Sequence, residues 1–566
     1  MDETGERKPL FALSETEDCY TIQPRGENTA LVVEKKTGEL RVENKEPLSG
    51  SPLYGLVGLI DLVSGPFLIL ATDAVVAGDI DSNAVFLLTK TEIVPCCREN
   101  KTSEDDECIE SLLSYLNTPG FYFSYTYDLL TNTQTRNRKN TEWCVNDFVQ
   151  TKIKEHTYIN TKTHRFLFPL IQGSFETSNN ALGNKLQIDF ALISRRSKNR
   201  QGTRYHTRGI DSDSNVANYV ETEQLVFFSQ NVSSFLQLRG SAPFFWTQTV
   251  DLQYKPRLTI LRRHETGRVF ENHFEKIRQN YGDVTVLDLV DGRGYEKPLR
   301  DTFSDLCSRY NEKHIQLDFH GEAKKDIEQK IIHSVKKMIL LYEYAQHGDE
   351  TPKTQLGVIR TNCVDCLDRT NVAQTIIGWE VAQWMVSTHS LPEKDRAAFE
   401  TTVKESFKRM WIANGNRLSL EYAGTGALKT DYAELGRRTK RGIWNDMLGA
   451  GERYFRNNFL DYKKQEGADL FLGVCPVKRS ESPFVAHHSR SSGFLLLLFL
   501  IAALLLRDRP LLLIAFALDL AVTLLAGGRL YANHARLYRT ASFVPRYILE
   551  NNFSKDSTSQ KAFPSE

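Results

Sequence analysis

The feature that most constrains the fold of this 566-residue chain is a strand-like apolar run followed closely by a long helical pattern. QLGVIR (355–360) has the character of a buried strand, and VAQTIIGWEVAQWMV (372–386) has the length of a helix. Other strand-like runs, such as LQIDFALIS and VTVLDLV, alternate with helical patterns such as EAKKDIEQKIIHSVKKMILLYEYA. This alternation predicts an α/β domain with a central sheet over residues 181–460.

Residues 1–180 have a different pattern of apolar and turn-forming residues. Short apolar runs rich in Val, Ile and Thr, such as LVVEKKTGELRV and AVFLLTKTEIV, are separated by Gly, Pro and Asn. This pattern predicts a β-rich N-terminal domain. The region shows no constellation of catalytic side chains, so we expect it to act as scaffold or regulator.

The loop between the predicted strand and helix carries the chemistry. Residues 363–369, which we call the cysteine loop, read C-V-D-C-L-D-R and are followed by Thr370 and Asn371. A tight strand-to-helix loop can aim successive backbone N–H groups at phosphate oxygens, and the helix N-terminus adds positive potential. We expect the same field to lower the pKa of the Cys363 thiol and make it a nucleophile. Arg369 would hold the phosphoryl group with its two-pronged guanidinium.

Two aspartates, Asp365 and Asp368, lie inside the loop. An ionised carboxylate facing a phosphate dianion is repelled, whereas a protonated one beside the leaving oxygen is a general acid. The alternative role is capping of the helix N-terminus, which Asp does well. We expect one aspartate in each role, and the sequence leaves open which is which.

Competing interpretations of these residues are weaker. Cys19 also has an arginine six residues later, but no Ser or Thr follows that arginine, no helical run follows it, and a proline directly precedes it. Cys363 and Cys366 form a C-x-x-C pair without the two further ligands that zinc needs; a reversible disulfide between them is a separate hypothesis. The stretch GTGALKT (424–430) lacks the Gly before Lys of a nucleotide-binding loop. No metal or cofactor is therefore expected.

The C-terminal part contains two apolar runs, 494–506 and 511–526, separated by Arg507-Asp508-Arg509-Pro510. Each is short for a bilayer crossing, which takes about 20 residues. We predict a two-segment membrane hairpin over 494–526, preceded by a flexible linker (461–493) and followed by a cytosolic tail (527–566). The alternative is a buried helical hairpin. Positive residues lie mainly outside the hairpin, which predicts cytoplasmic flanks.

Charge and cysteine content exclude some classes. Lys plus Arg and Asp plus Glu are both 71, so no global charge favours nucleic acid. Nine scattered cysteines do not form a disulfide framework, and no signal peptide is visible at the start of the sequence. We expect a catalytic domain in the reducing cytosol.

The stretch RTNCVDCLDRTN (360–371) resembles the signature of the Sac-domain phosphoinositide phosphatases. Further segments agree in the same order. They are RYHTRGID (204–211), NVANYVETEQ (215–224), QLRGSAP (237–243) with Trp246, and YAGTGALKTD (422–431). The resemblance covers residues 1–460, and the hairpin is similar to that of the integral-membrane branch.

The resemblance implies a cysteine-phosphatase α/β domain packed against a β-rich N-terminal domain. It implies metal-free hydrolysis of phosphatidylinositol 4-phosphate, and less so of the 3-phosphate, through a phosphocysteine. Membership of the membrane branch implies endoplasmic reticulum and Golgi membranes. The expected catalytic residues are Cys363, Asp365, Asp368 and Arg369. The expected substrate contacts are Val364, Cys366, Leu367, Thr370, Asn371 and Lys429.

Some residues depart from the family pattern. Asn416 stands where the family usually has Asp, Ala433-Glu434 replace Thr-Arg, and the usual Asp-Gly pair is not cleanly present at 445–447. Asn416 and the altered 445–447 region support an alternative function, a catalytically weak phosphoinositide-binding or scaffold protein. A protein phosphatase is a third interpretation, but the hairpin and two basic runs favour lipid.

The two basic runs have two interpretations: they attract an anionic lipid surface, or they are solvated faces without a ligand. The first run is Arg195, Arg196, Lys198, Arg200, Arg204 and Arg208. The second is Arg437, Arg438, Lys440 and Arg441.

Overall fold

The structure, a computed structural model, describes residues 10–474 except for 98–100, 136–140, 158–165, 183–185, 229–230, 249, 251–252, 254, 262, 320–326, 349–351, 388–391 and 429–438. The described residues all belong to one compact unit, Met1–Val477. The predicted hairpin, the tail and Lys429 therefore lie outside the described residues. Among the helices that are described, none combines the length and apolar content of a membrane span.

Strands dominate the first half of the described chain. In chain order they are β1 (Phe11–Glu15), β2 (Cys19–Pro24), β3 (Thr29–Glu34), β4 (Leu40–Asn44), β5 (Ser51–Leu53), β6 (Gly55–Leu62), β7 (Gly65–Ile80), β8 (Asn83–Pro95), β9 (Phe121–Phe123), β10 (Ile171–Leu182), β11 (Leu186–Arg196), β12 (Val220–Phe228), β13 (Asn231–Arg239), β14 (Trp246–Gln248), β15 (Leu258–Ile260), β16 (Asp283–Asp288), β17 (Lys313–Gln316), β18 (Ala345–His347) and β19 (Gly357–Asn362).

Helices concentrate in the second half. The α-helices of the described residues are α1 (Ser103–Leu116), α2 (Asp147–Thr157), α3 (Thr266–Tyr281), α4 (Lys297–Arg309), α5 (Ile327–Tyr342), α6 (Asp368–Ser387), α7 (Glu393–Ala398), α8 (Lys404–Ala423), α9 (Lys440–Phe459) and α10 (Asp461–Phe471). A short 3-10 turn, Gly294–Glu296, precedes α4, and a π-turn, Phe399–Val403, joins α7 to α8.

One mixed sheet organises the molecule. In the described residues it has twelve strands in the order β17-β16-β19-β13-β12-β11-β10-β9-β8-β7-β6, with β18 paired to β13. The strands β17, β16, β19 and β13 are parallel, and the rest of the sheet is antiparallel. A separate five-stranded sheet, β4-β3-β2-β1-β5, adds to the β-rich N-terminal region. The α/β character and the β-rich N-terminal region agree with the sequence prediction.

Helices cover both faces of the parallel section. One hydrophobic cluster joins β19 to α5, α6 and α8 through residues such as Ile339, Ile377 and Phe407. Another joins the same strands to α3 and α4 through Phe270 and Phe303. A parallel sheet buried on both faces is typical of α/β folds, whose ligands bind at the carboxyl ends of the strands.

The sheet does not stop at the predicted domain boundary. β10 spans residues 180 and 181, and it pairs with β9 on one side and β11 on the other. The N-terminal and α/β regions therefore share one continuous sheet, although their sequence patterns differ.

The start of the predicted linker is helical and packed, which corrects that prediction for residues 461–471. α10 lies against α1, and its Ala468, Leu470 and Phe471 belong to a hydrophobic core. The prediction failed because polar residues of this helix are also buried, among them Lys464 and Asp469, which obscures the helical periodicity.

The first basic run is not a surface patch, which corrects both interpretations of it. Arg195, Arg196 and Arg208 are buried. Arg195 lies on β11 and donates to Glu221 at 2.9 Å and to Glu223 at 2.8 Å. Because buried charge is costly unless paired, these arginines organise the interior instead of attracting lipid. Arg437 and Arg438 of the second run lie outside the described residues, whereas Lys440 and Arg441 are exposed on α9.

Candidate active site

The cysteine loop joins β19 to α6, as the sequence predicts. β19 lies between β16 and β13 in the parallel section, and α6 begins at Asp368. The loop is therefore at the carboxyl end of a central strand and at the N-terminus of a 20-residue helix. Backbone N–H groups and the helix dipole both favour an anion at this position.

Cys363 is buried at the start of the loop. Burial raises the pKa of its thiol to about 12, while the nearby Arg369 guanidinium pulls it down and Glu296 pushes it up. This corrects the expectation of a lowered pKa. The loss of solvation outweighs the favourable charge of Arg369, so the thiol is protonated at neutral pH in this arrangement.

Cys366 stabilises the cysteine loop through hydrogen bonds of its own side chain. It adopts a left-handed conformation, with φ of 54°. Its Sγ accepts the N–H of Cys363 at 3.3 Å and lies 3.1 Å from the Gly240 carbonyl oxygen, to which it donates. Burial raises the pKa of Cys366, which keeps the thiol protonated as a donor. Cys366 is thus part of the loop's internal hydrogen bonding.

Arg369 is held by carboxylates of the segment that follows β16. It donates to both carboxylate oxygens of Glu296, at 2.9 and 2.8 Å, and to the Leu289 carbonyl oxygen at 2.9 Å. Asp291 lies 3.3 Å from the same guanidinium. The fork expected to bind phosphate is therefore occupied by Glu296 in this structure.

Asp365 is an ion-pair centre. It accepts from Arg204 at 3.0 and 2.6 Å and from Arg208 at 2.6 Å. The two guanidinium groups offset the burial penalty and hold the pKa of Asp365 well below its usual range. Arg208 also donates to the Val364 carbonyl oxygen at 3.0 Å. Asp365 therefore stays ionised and ties the loop to the 204–208 segment.

Asp368 has the opposite environment. One carboxylate oxygen accepts the N–H of Leu428 at 2.9 Å, and the other lies 3.7 Å from Arg453. Burial raises the pKa of Asp368 despite the charge of Arg453. The two loop aspartates thus differ in protonation tendency, the usual sign of different chemical roles.

The other predicted contact residues support the loop. The Leu367 side chain packs with Tyr422 and Ala423. Asn371 accepts from the buried Arg239 at 2.5 Å. The Thr370 hydroxyl is buried, and no hydrogen-bond partner for it is found within the described chain.

A cavity of about 250 Å³ opens over the loop. It brings together Cys363, Val364, Asp365, Leu367, Asp368 and Arg369. The other side chains that line it include Arg204, Tyr205, Lys255, Tyr295, Arg453 and Tyr454. Of the predicted contacts, Cys366, Thr370 and Asn371 do not line this cavity.

Sequence reasoning missed part of this lining. The sequence places Arg204 in a basic run and in the RYHTRGID segment, but neither pattern predicts that it lines the cavity. Arg453 lies inside α9 and donates to Thr425 at 2.8 Å and to the Gly426 carbonyl oxygen at 2.8 Å. No local pattern distinguishes such an arginine from a surface one. The distant residue Asn416, one of the departures from the family pattern, accepts the N–H of Ala427 at 3.0 Å and so shapes the same turn.

Comparisons with known proteins identify the family of the chain. The model of the SacI homology domain matches residues 54–324. The chain is 31% identical to phosphoinositide phosphatase SAC7 of Arabidopsis thaliana, over 95% of this chain and 99% of that protein. It is 32% identical to phosphatidylinositol-3-phosphatase SAC1-B of Danio rerio, over 86% and 88%. It is also 32% identical to phosphatidylinositol-3-phosphatase SAC1 of Saccharomyces cerevisiae, over 74% and 72%. The chain therefore belongs to the Sac-domain phosphoinositide phosphatase family.

Proposed function

We propose that this protein hydrolyses the monoester phosphate of phosphatidylinositol 4-phosphate, and also of the 3-phosphate, through a phosphocysteine on Cys363. One observation carries the proposal. A cysteine at the carboxyl end of a central parallel strand shares a 250 Å³ cavity with an arginine and with an aspartate of raised pKa. The names of the relatives, which are phosphoinositide and phosphatidylinositol-3-phosphatases, support the substrate class.

Substrate binding begins with an exchange of partners at Arg369. A phosphate dianion entering the cavity competes with the Glu296 carboxylate for the guanidinium fork, since each offers two anionic oxygens that can accept a bidentate pair of hydrogen bonds. Backbone N–H groups of the loop and the N-terminus of α6 bind the remaining phosphate oxygens. The bound phosphate dianion takes the proton of the Cys363 thiol, which leaves the thiolate beside phosphorus.

Chemistry then proceeds in two steps. The Cys363 sulfur attacks phosphorus while the bond from phosphorus to the inositol oxygen breaks, and Asp368 gives its proton to that oxygen. Water then attacks the phosphocysteine, Asp368 takes a proton from the water, and inorganic phosphate leaves as the thiolate re-forms.

Asp365 has a positioning role. Its ionised carboxylate joins Arg204 and Arg208 to the loop, so the loop's shape depends on this ion-pair cluster. Arg204 also lines the cavity, where the positive charge of its guanidinium attracts the inositol phosphate.

Membrane attachment is part of the same proposal. The two apolar runs of the sequence would anchor the protein in endoplasmic reticulum and Golgi membranes, with the catalytic unit in the cytosol. Imaging of the full-length protein, with and without residues 494–526, tests this expectation. A diffuse cytosolic signal from the intact chain would refute it.

Phosphate release from lipid vesicles tests the function. The full-length chain and its Cys363→Ser variant would be compared on each phosphatidylinositol monophosphate and bisphosphate, without added metal. We expect release from the 4-phosphate and 3-phosphate, and none from any lipid with the variant. A folded wild type that releases no phosphate but binds these lipids would instead support the alternative, a phosphoinositide-binding scaffold.

A further inference from the structure

The helix α9 has an exposed apolar face beside the catalytic cavity. Trp444, Met447, Leu448 and Phe455 are exposed by 60%, 62%, 59% and 46% respectively. Large apolar side chains with this exposure are costly in water unless something covers them. Their spacing of three, four and seven residues aligns them along one side of the helix. We call these four residues the α9 stripe.

The cavity side of α9 begins next to the α9 stripe and continues to the opposite face of the helix. Ala450, Arg453 and Tyr454 line that cavity, and Arg453 is buried. With 3.6 residues per turn, Arg453 is about 180° from Trp444 around the helix, and Tyr454 is about 80° from it. The α9 stripe and the cavity are therefore on neighbouring sides of a single helix, so any surface that covers the stripe also approaches the cavity mouth.

Charge near the α9 stripe favours an anionic surface. Lys440 and Arg441 are exposed at the N-terminal end of the helix, on the same side as Trp444. On the C-terminal half the exposed Glu452 is paired with Arg456 at 2.8 Å, which balances its charge. A helix with Trp, Phe and Leu on one face and basic residues beside them is typical of helices that lie in the interface of an anionic bilayer.

We propose that the α9 stripe inserts into the interfacial layer of an anionic phospholipid bilayer and holds the cavity mouth at the lipid headgroups. The choice of a bilayer as the partner rests in part on the proposed function, because the substrate of that reaction is itself a membrane lipid. The cavity opens beside the inserted face, so a headgroup phosphate reaches Cys363 without leaving the plane of the bilayer. This contact acts at the catalytic unit, independently of the predicted hairpin.

Tryptophan fluorescence provides a direct test, because Trp444 differs from the other tryptophans of the chain. The sequence contains six; Trp143, Trp246, Trp379 and Trp411 are buried and Trp384 is half-buried. The full-length chain would be mixed with phosphatidylcholine and phosphatidylserine vesicles whose acyl chains carry bromine near the headgroup. We expect quenching that is absent from Trp444→Phe and weaker with phosphatidylcholine alone.

An activity comparison provides the second test. Met447→Ser/Leu448→Ser would be compared with a matched control, Leu340→Ser/Leu341→Ser, whose side chains on α5 are exposed by 55% and 51% and lie outside the cavity lining. We expect the α9 variant to lose at least about tenfold of its turnover on phosphoinositide in anionic vesicles. Its turnover of a water-soluble, short-chain phosphoinositide should stay within about twofold of wild type. The control should match wild type on both substrates.

The two tests separate failure of this inference from failure of the proposed function. No hydrolysis of either substrate by wild type would refute the function, while the bromine quenching would still test membrane contact. Quenching that does not depend on Trp444, or equal vesicle turnover by the α9 variant and wild type, would overturn the inference. A Trp444 that is shielded from aqueous iodide before vesicles are added would also overturn it, since a protein partner or another part of the chain then covers the stripe.

Discussion

At the scale of single residues, the two loop aspartates are three positions apart but their surroundings drive their pKa values in opposite directions. Two arginines pair with Asp365 and keep it ionised, whereas burial dominates at Asp368 and favours its protonated form. A protonated carboxyl in the cavity can serve as an acid, and an ionised one bound to two guanidinium groups cannot. The roles left open by the sequence are therefore divided by the partners of each side chain.

Replacement of Asp368 tests the general acid. We expect Asp368→Asn to lower kcat on a phosphoinositide by about 10²-fold or more, because the inositol alkoxide is a poor leaving group without a proton. The same variant should keep most of its rate of first-turnover release of p-nitrophenol from p-nitrophenyl phosphate, whose leaving group needs no proton in the first step. Asp365→Asn is the comparison, since loss of its ion pairs should reduce activity on both substrates. Equal losses by Asp368→Asn on both substrates would contradict the assignment.

Replacement of Glu296 tests the resting state of the thiol. The carboxylate of Glu296 raises the pKa of Cys363 and also neutralises Arg369. Both effects disappear in Glu296→Gln, so the pKa of the thiol should fall by about one unit or more. Alkylation of Cys363 by iodoacetamide, followed by peptide mass spectrometry as a function of pH, measures the midpoint. Asp301→Asn, an exposed position on α4, is the control; a midpoint unchanged in Glu296→Gln would refute the argument.

At the scale of elements, the strand, loop and helix around Cys363 could be predicted because their signals are local. The β-branched run, the cysteine loop and the helical pattern follow one another within about 30 residues, and β19 and α6 form where they are expected. The partners of the loop could not be predicted in this way. Arg204 is 161 positions from Asp365, and its pairing depends on how distant elements pack. α10 was missed because its buried polar residues resemble those of a linker.

The buried Asp469 of α10 makes stability depend on pH. Burial raises its pKa to about 7, whereas an unfolded Asp titrates near 4. The folded state therefore holds a proton that the unfolded state loses between about pH 4 and 7. Its contribution to stability is complete below pH 4 and lost as pH rises through 7.

The variant Asp469→Asn tests this contribution. The amide is neutral at every pH and keeps the shape of the protonated acid. We expect Asp469→Asn to be more stable, relative to wild type, at pH 8 than at pH 5. Its free energy of unfolding minus that of wild type should be at least about 1 kcal/mol larger at pH 8 than at pH 5. Urea unfolding at both pH values measures the difference. Asp305→Asn, an exposed position on α4, is the control and should give no such difference. If Asp469→Asn also shows no difference between the two pH values, the burial argument is contradicted.

At the scale of the whole molecule, the continuous sheet and α10 make the β-rich and α/β regions interdependent. Phe471 is buried against Tyr115 of α1, with ring centroids 5.6 Å apart. Gln465 accepts the N–H of Thr203 at 2.8 Å, immediately before Arg204 of the cavity. A helix that the sequence assigns to a linker therefore joins the N-terminal core to the catalytic unit.

Truncation before and after α10 tests this interdependence. A fragment 1–460 lacks Ala468, Leu470 and Phe471, and the loss of these buried side chains removes about 5 kcal/mol, which is comparable with the whole stability of many domains. We expect it to aggregate or to melt at least about 10 °C below a fragment 1–477, which ends with the compact unit. Phe471→Ala in the longer fragment should cost about 3–5 kcal/mol and connects the effect to one contact. Melting followed by circular dichroism measures all three proteins. Equal midpoints for fragments 1–460 and 1–477 would mean that α10 is dispensable, and that the catalytic unit does not depend on it.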